Sequence, residues 1–329
     1  VNTIYLTSSD EDIKKAAEII KAGGLVAFPT ETVYGLGGNA LNPSASKKIY
    51  EAKGRPSDNP LIAHISKTEE LISLVTDFPE NARKLATAIW PGPMTMVLHK
   101  KDIVPNETTG GLNTVAIRCP ANETARRLIE LSGVPIAAPS ANTSGRPSPT
   151  RWQHVANDLD GKIDAIIMGE PCIGGIESTI VDMTEELPMI LRPGLITPER
   201  VSEVLGLDCD YDPAIKGPAS PDMIPKAPGM KYKHYAPKAQ MKLFAGDREK
   251  ALDVMRKEQA ELEAKGFNVV SIAYESGDDA ARNLFGDLRA ADAHGEDYIL
   301  CYALSLEESI NYSVMNRMLK SAGYNIVEV

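Results

Sequence analysis

The sequence predicts an α/β protein, and three observations carry that expectation. Short apolar runs such as Leu25-Val26-Ala27-Phe28 and Thr114-Val115-Ala116-Ile117-Arg118 recur between segments of helical periodicity. Polar loops rich in glycine and proline follow several of these runs directly, where an open sheet presents its ligand-binding crevice. The pattern then lapses between residues 209 and 238, interrupted by Pro213, Pro218, Pro221, Pro225, Pro228 and Pro237, and resumes with stricter alternation of strand and helix. A mixed-sheet α/β domain over 1–208, a proline-rich linker or lid over 209–238 and a smaller parallel α/β domain over 239–329 are therefore expected.

A chain of 329 residues is longer than one hydrophobic core usually serves, and 43% hydrophobic with 24% charged residues is ordinary for a globular protein. Its net charge of -10 argues against bulk phosphate neutralisation as the main work, although a local basic cleft stays open. The N-terminus, Val1-Asn2-Thr3-Ile4-Tyr5, has no leader character, and no run reaches the ~18 apolar residues of a membrane span. A cytoplasmic protein without membrane association is the expectation. Cys119, Cys172, Cys209 and Cys301 stand far apart, which suits reduced core thiols better than zinc ligands or disulfides.

In chain order, Ser9 and Asp12 resemble a capping box ahead of Ile13, Ala16, Ala17 and Ile20, and Gly23-Gly24 stops that helix. Strand 25–28 breaks at Pro29 into a glycine-rich loop through Gly38, followed by a helix over 44–52 and a strand at Leu61-Ile62-Ala63-His64-Ile65. Helical patterns over 68–75 and 79–89 end at Trp90-Pro91-Gly92-Pro93, before an extended Met94-Thr95-Met96-Val97-Leu98. Strands at 114–118 and 134–138 flank a helix near 122–132; 163–167, 178–182 and 189–192 add three more strands, and 197–205 is a helix opened by Thr197-Pro198-Glu199. Beyond the linker come strands at 241–245, 268–273, 297–303 and 325–328, with helices at 247–265, 279–291 and 306–321.

The chemistry concentrates in loops. Gly35-Leu36-Gly37-Gly38-Asn39-Ala40 fits Gly-x-Gly-x-x-Ala, but it stands six residues beyond its strand, and a dinucleotide fingerprint turns directly out of one. Lys53-Gly54-Arg55 leads into Pro56-Ser57-Asp58-Asn59-Pro60, a proline-stiffened loop whose two cations suit a phosphate chain. Pro139-Ser140-Ala141-Asn142-Thr143-Ser144-Gly145-Arg146-Pro147-Ser148 collects hydroxyl, amide and backbone donors, the makeup of an anion nest or of a turn full of Asx and Ser motifs. Arg118 ends a buried strand and suits either a salt bridge or a planar anionic ligand, and His64 sits within another strand.

Taken in order, Phe28-Pro29-Thr30-Glu31-Thr32-Val33-Tyr34-Gly35-Leu36-Gly37, Lys53-Gly54-Arg55-Pro56-Ser57-Asp58-Asn59-Pro60-Leu61, Pro139-Ser140-Ala141-Asn142-Thr143-Ser144-Gly145 and Glu177-Ser178-Thr179-Ile180-Val181-Asp182 resemble the YrdC-like family of L-threonylcarbamoyladenylate synthases. The resemblance covers about 10 to 205, and Ala227-Pro228-Gly229-Met230-Lys231-Tyr232-Lys233-His234-Tyr235-Ala236-Pro237 extends it to the longer, two-domain branch. It implies a three-layer YrdC-like domain with a mixed twisted sheet, followed by a Rossmann-like domain.

The resemblance also implies an activity: L-threonine, bicarbonate and ATP are joined into L-threonylcarbamoyl-AMP with release of pyrophosphate, and tRNA threonylcarbamoyl transferase machinery carries the group to adenosine 37. It assigns threonine to Thr32, His64, Arg118, Ala138 and Ser178, and ATP to Arg55, Asn59, Thr114, Ser140, Ser148, Arg192 and Tyr235. Lys53, Arg55, Ser140 and Asn142 become the phosphate-handling, catalytic group, with Mg2+ accompanying ATP and no metal ligands assigned. Two other readings stand beside it. One is a protein of this fold that binds double-stranded RNA and assists translation or ribosome maturation. The other is a carbamoyltransferase acting on a carrier protein.

Overall fold

The structure, a computed structural model, describes residues 1–329 and divides into two units: Val1–Ser144 with Ser148–Tyr232, and Gly145–Pro147 with Lys233–Val329. In the first unit the strands are β1 (Ile4–Leu6), β2 (Val26–Phe28), β3 (Gly35–Asn39), β4 (Ile62–His64), β5 (Met94–His99), β6 (Thr114–Arg118), β7 (Ile136–Ala137), β8 (Ala165–Ile167), β9 (Thr179–Asp182), β10 (Met189–Arg192) and β11 (Asp210–Tyr211). The helices are α1 (Asp10–Lys21), α2 (Pro43–Lys53), α3 (Glu80–Ile89), α4 (Asn106–Thr109), α5 (Glu123–Ser132), α6 (Trp152–Leu159) and α7 (Pro198–Leu205).

Capping chemistry sets the helix ends. Ser9 caps α1 by accepting from the Asp12 amide. Asn42 does the same for α2 ahead of Pro43, and Gly54 closes α2 with φ of 63°. The glycine that ends α2 therefore also turns the chain between Lys53 and Arg55.

All eleven strands join one mixed sheet in the order β1-β8-β2-β3-β7-β4-β6-β5-β9-β10-β11. The glycine-rich stretch expected as a loop is a strand: β3 lies antiparallel to β2 and to β7. Its glycines serve close packing, because a Cβ on Gly37 would come within 2.7 Å of both Ile136 Cγ2 and Phe28 Cε1. The expected helix over 68–75 is a 3-10 turn at Thr68–Ser73. Helix α6, strand β1 and the short α4 lie where no element was expected.

Alternation along the strands divides the buried side chains between two faces. On one face Ala63, Met96, Ile117, Val181 and Ile190 meet α2, α3, α6 and α7 through Ile49, Leu85, Val155 and Val201. On the other, Val26, Phe28 and Ile136 pack under Ile13, Ala16, Leu128 and Ile129 of α1 and α5. Farther along that face, Ile62, Val97, Ala116, Ile180 and Leu191 are covered by Ile215, Ala227 and Met230 of the proline-rich segment. That segment also adds β11 parallel to β10, so its first part is a sheet edge rather than free chain. A polar row lies between the two apolar covers.

The second unit has strands β12 (Gln240–Ala245), β13 (Val269–Ile272), β14 (Tyr298–Tyr302) and β15 (Ile326–Glu328), with α8 (Arg248–Ala264), α9 (Gly277–His294) and α10 (Ser309–Ser321). They form a parallel sheet in the order β13-β14-β12-β15, with Phe244 and Leu300 packed against Ala251 and Met255 of α8. Gly145–Pro147 belongs here: Arg146 pairs with Asp292 at 2.6 Å, and Arg289 donates to the Pro147 carbonyl at 2.7 Å. No helix of the chain is long and apolar enough to cross a membrane.

Candidate active site

Strand register builds the polar row. His64 of β4 pairs with Arg118 of β6, and Arg118 pairs with Thr95 of β5. Residues opposite one another in a sheet share a face, so these three side chains line up between the two apolar covers. Burial is nearly complete, with Arg118 and His64 each 3% exposed and Thr95 0%.

A guanidinium this deep needs partners. Arg118 Nη1 donates to the Thr32 hydroxyl at 2.9 Å, and Nη2 donates to Glu31 Oε1 at 2.6 Å. The Asn122 amide, at the cap of α5, donates to the other Glu31 oxygen at 3.1 Å. Burial raises the Glu31 carboxyl, yet the neighbouring Arg118 charge and its hydrogen bond outweigh that and hold it below its usual range. Arg118 Nε is buried with no partner, a donor left for a ligand.

His64 is held neutral. Burial first, and the Arg118 charge second, push its imidazole down to about 3. Its Nδ1 donates to the Ile62 carbonyl at 3.0 Å. Ser178, just before β9, lies 2.8 Å from the Thr95 hydroxyl, while Arg192 donates to the Ser178 carbonyl at 3.0 Å and to its hydroxyl at 3.2 Å. Ala138, just after β7, closes this region, its amide donating to the Ile62 carbonyl at 2.9 Å.

Of the residues expected to handle phosphate, Lys53 meets Ser140 and Asn142. Its ammonium, 2% exposed, donates to the carbonyls of Ser140 and Asn142, and the Ser144 amide donates back to the Lys53 carbonyl at 2.8 Å. Arg55 donates to the carbonyls of Asn59 and Pro60 at 3.1 and 2.9 Å, which fixes the 56–60 loop. Both side-chain polar atoms of Asn59 are buried without a partner. Ser148 hydrogen-bonds the Glu177 carboxylate.

Thr32, His64, Arg118, Ala138 and Ser178 thus gather on one sheet face; Arg192 joins them through Ser178, and Lys53, Arg55, Asn59, Ser140 and Asn142 form the adjoining loop set. Thr114 begins β6 and shares the face of Arg118 at the strand's opposite end. Tyr235 belongs to the second unit, with φ of 63° and its ring 5.2 Å from that of Phe285. Sequence reasoning missed Glu31 and Thr95. Glu31 stands beside Thr32 with nothing local to name its partner, whereas the lone hydroxyl in Met94-Thr95-Met96-Val97-Leu98 was a usable signal.

A buried guanidinium fork beside a loop set of cations and amides defines an α/β protein for a small carboxylate-bearing ligand and a phosphate-bearing one. Residues 18–194 match the Sua5/YciO/YrdC family, described as "Telomere recombination", and 196–323 match the Sua5 C-terminal domain, described as "Threonylcarbamoyl-AMP synthase, C-terminal domain". The chain belongs to this family, in its two-domain form. It is 48% identical to a threonylcarbamoyl-AMP synthase of Pyrococcus abyssi over 96% of both chains, and 41% identical to one of Bacillus subtilis over 99% of this chain and 97% of that one. The crystal structure of P. abyssi Sua5 complexed with L-threonine is 46% identical, with a TM-score of 0.94 over 99% of this chain and 100% of that one.

Proposed function

We propose that the chain is a threonylcarbamoyl-AMP synthase, joining L-threonine, bicarbonate and ATP into L-threonylcarbamoyl-AMP with release of pyrophosphate. The observation that carries this reading is the Arg118 fork, buried among Thr32, His64 and Ser178 with Nε unpaired, a receptor for a single planar carboxylate. Hydroxyl and imidazole groups around it offer hydrogen bonds to a substrate hydroxyl, and a ligand without one would leave them unmatched.

The threonine amine and bicarbonate first give a carbamate and water. A carbamate oxygen then attacks the α-phosphorus of ATP in line as pyrophosphate leaves, a reaction governed by positioning and charge neutralisation. Lys53 and Arg55 supply the cations, while Ser140, Asn142, Asn59, Thr114, Ser148 and Arg192 hold the nucleotide. Mg2+ would accompany ATP as MgATP and add to the neutralisation of the phosphate charge.

The proline-rich segment serves as the lid and Tyr235 as its nucleotide contact. Support comes from Tyr232, whose hydroxyl bonds the Asp58 carboxylate in the loop that Arg55 organises, and from Ile215, Ala227 and Met230 on the site's own sheet face. Carbamates and acyl adenylates are labile in water, which gives such a lid its use. The product then passes to the tRNA threonylcarbamoyl transferase machinery that modifies adenosine 37.

Pyrophosphate release tests the reading. It is expected only when ATP, L-threonine and bicarbonate are all present. Release without threonine, or salt-sensitive binding of double-stranded RNA with no release at all, overturns it.

A further inference from the structure

Arg118 and Glu31 cancel as a pair, while Arg192, the other cation on this face, bonds Ser178. Arg118 contributes one positive charge and Glu31 one negative, paired at 2.6 Å with side chains 4% and 13% exposed. Three titratable groups that feel the charges of this pair are themselves uncharged: His64 is neutral, and burial keeps the Cys119 and Cys172 thiols protonated. Arg126 and Glu70, which also act on Cys119, are again opposite in sign.

Glu31 is held where it stands from both ends. Its carboxylate is gripped by Arg118 and by the Asn122 amide, and its carbonyl accepts from the Gly174 amide at 2.8 Å. Gly174 is required for that approach, since a Cβ there would lie 2.7 Å from the Glu31 carbonyl oxygen.

We infer that Glu31 is a specificity-determining residue: by neutralising Arg118 it makes the pocket accept a zwitterionic amino acid and reject a ligand that carries a carboxylate alone. The inference rests on the threonine reading above. A zwitterion brings no net charge into the buried site, so pocket and ligand together stay neutral. A hydroxy acid without the ammonium leaves one uncompensated negative charge beside Glu31, in surroundings that penalise it heavily. Arg118 alone would show the opposite preference, favouring any small anion. Rejection therefore comes from an introduced repulsion as much as from a contact.

The test is calorimetric binding by the full chain of L-threonine and of (R)-3-hydroxybutyrate, which is threonine without its amino group. The wild-type protein is expected to prefer threonine by roughly a hundredfold or more. In Glu31→Gln, which keeps the shape and an acceptor for Arg118 but not the charge, that preference is expected to fall by about tenfold or more, because the hydroxy acid binds better and threonine worse. A loss of packing would weaken both ligands together and leave the ratio unmoved, and an unmoved ratio overturns the inference. Should Glu31→Gln fail to fold, wild-type protein decides alone: 3-hydroxybutyrate binding within about tenfold of threonine overturns it too. A wild-type chain that binds no threonine overturns the functional reading itself, and this inference with it.

Discussion

At the scale of single residues, the site's most consequential feature is how few of its polar groups face water. Arg118 is 3% exposed and anchors one end of the substrate in the proposed reaction. Arg118→Ala is therefore expected to raise the KM for L-threonine by roughly thirtyfold or more, with a much smaller change in the KM for ATP. Steady-state pyrophosphate release with each substrate varied in turn measures both, and equal shifts would remove Arg118 from the carboxylate role. His64 gives a second, independent expectation. Its folded pKa, about 3, lies below the ordinary value of 6.5, so the unfolded chain binds this proton more readily than the folded one. The neutral imidazole's contribution to stability is then fully present above pH 6.5 and is lost as pH falls from there toward 3. Between pH 7 and 5 the melting temperature should fall for the wild-type protein and fall less steeply for His64→Gln. Identical slopes would mean that His64 takes up its proton as readily in the folded protein as in the unfolded chain.

Elements add a constraint that no side chain states alone: the row His64, Arg118, Thr95 exists only because β4, β6 and β5 pair in one register. A slip of one residue would turn all three into the opposite, apolar face. The neighbouring β3 is held by its lack of side chains. Gly37→Ala puts a methyl within 2.7 Å of Ile136 and Phe28, both of which pack under α1 and α5, and is expected to cost about 1–3 kcal/mol in urea unfolding. Unchanged stability would show that β2, β3 and β7 can spread. Most elements were legible in the sequence, because several helices carry a side-chain cap ahead of an apolar stripe, as in Ser9 with Ile13, Ala16, Ala17 and Ile20. Strand β3 was not, since Gly35-Leu36-Gly37-Gly38-Asn39 has no β-branched residue and is extended only through its two neighbours. Three-residue β1 and eight-residue α6 are too short for periodicity to mark. Likewise the candidate site was legible as loops and strand ends, while the Glu31–Arg118 pair, separated by more than eighty positions, is a product of topology.

For the whole molecule, the chain's path matters more than its length. Ser140–Ser144 and Ser148 belong to the first unit, but Gly145–Pro147 between them belongs to the second, a division that local sequence cannot announce because its causes lie at Asp292 and Arg289. The proposed nucleotide residues Ser140 and Ser148 are thus covalently strung across three residues whose positions the second unit sets. In the proposed function the two ends of that loop, Ser140 and Ser148, hold ATP, so the bonds that hold 145–147 bear on them through the chain itself. Arg146→Ala isolates this effect, since Asp292 keeps its bonds from the Lys238 and Ala239 amides, at 2.7 and 3.3 Å, and the second unit stays intact. A partly exposed ion pair contributes about 1 kcal/mol or less, so the expected outcome is a KM for ATP raised roughly two- to fivefold, with the KM for L-threonine and the melting temperature nearly unchanged. If instead the threonine KM rises with it, the loop transmits to the Arg118 pocket as well, and the amino-acid and nucleotide ends of the site are set together rather than by separate parts of the chain.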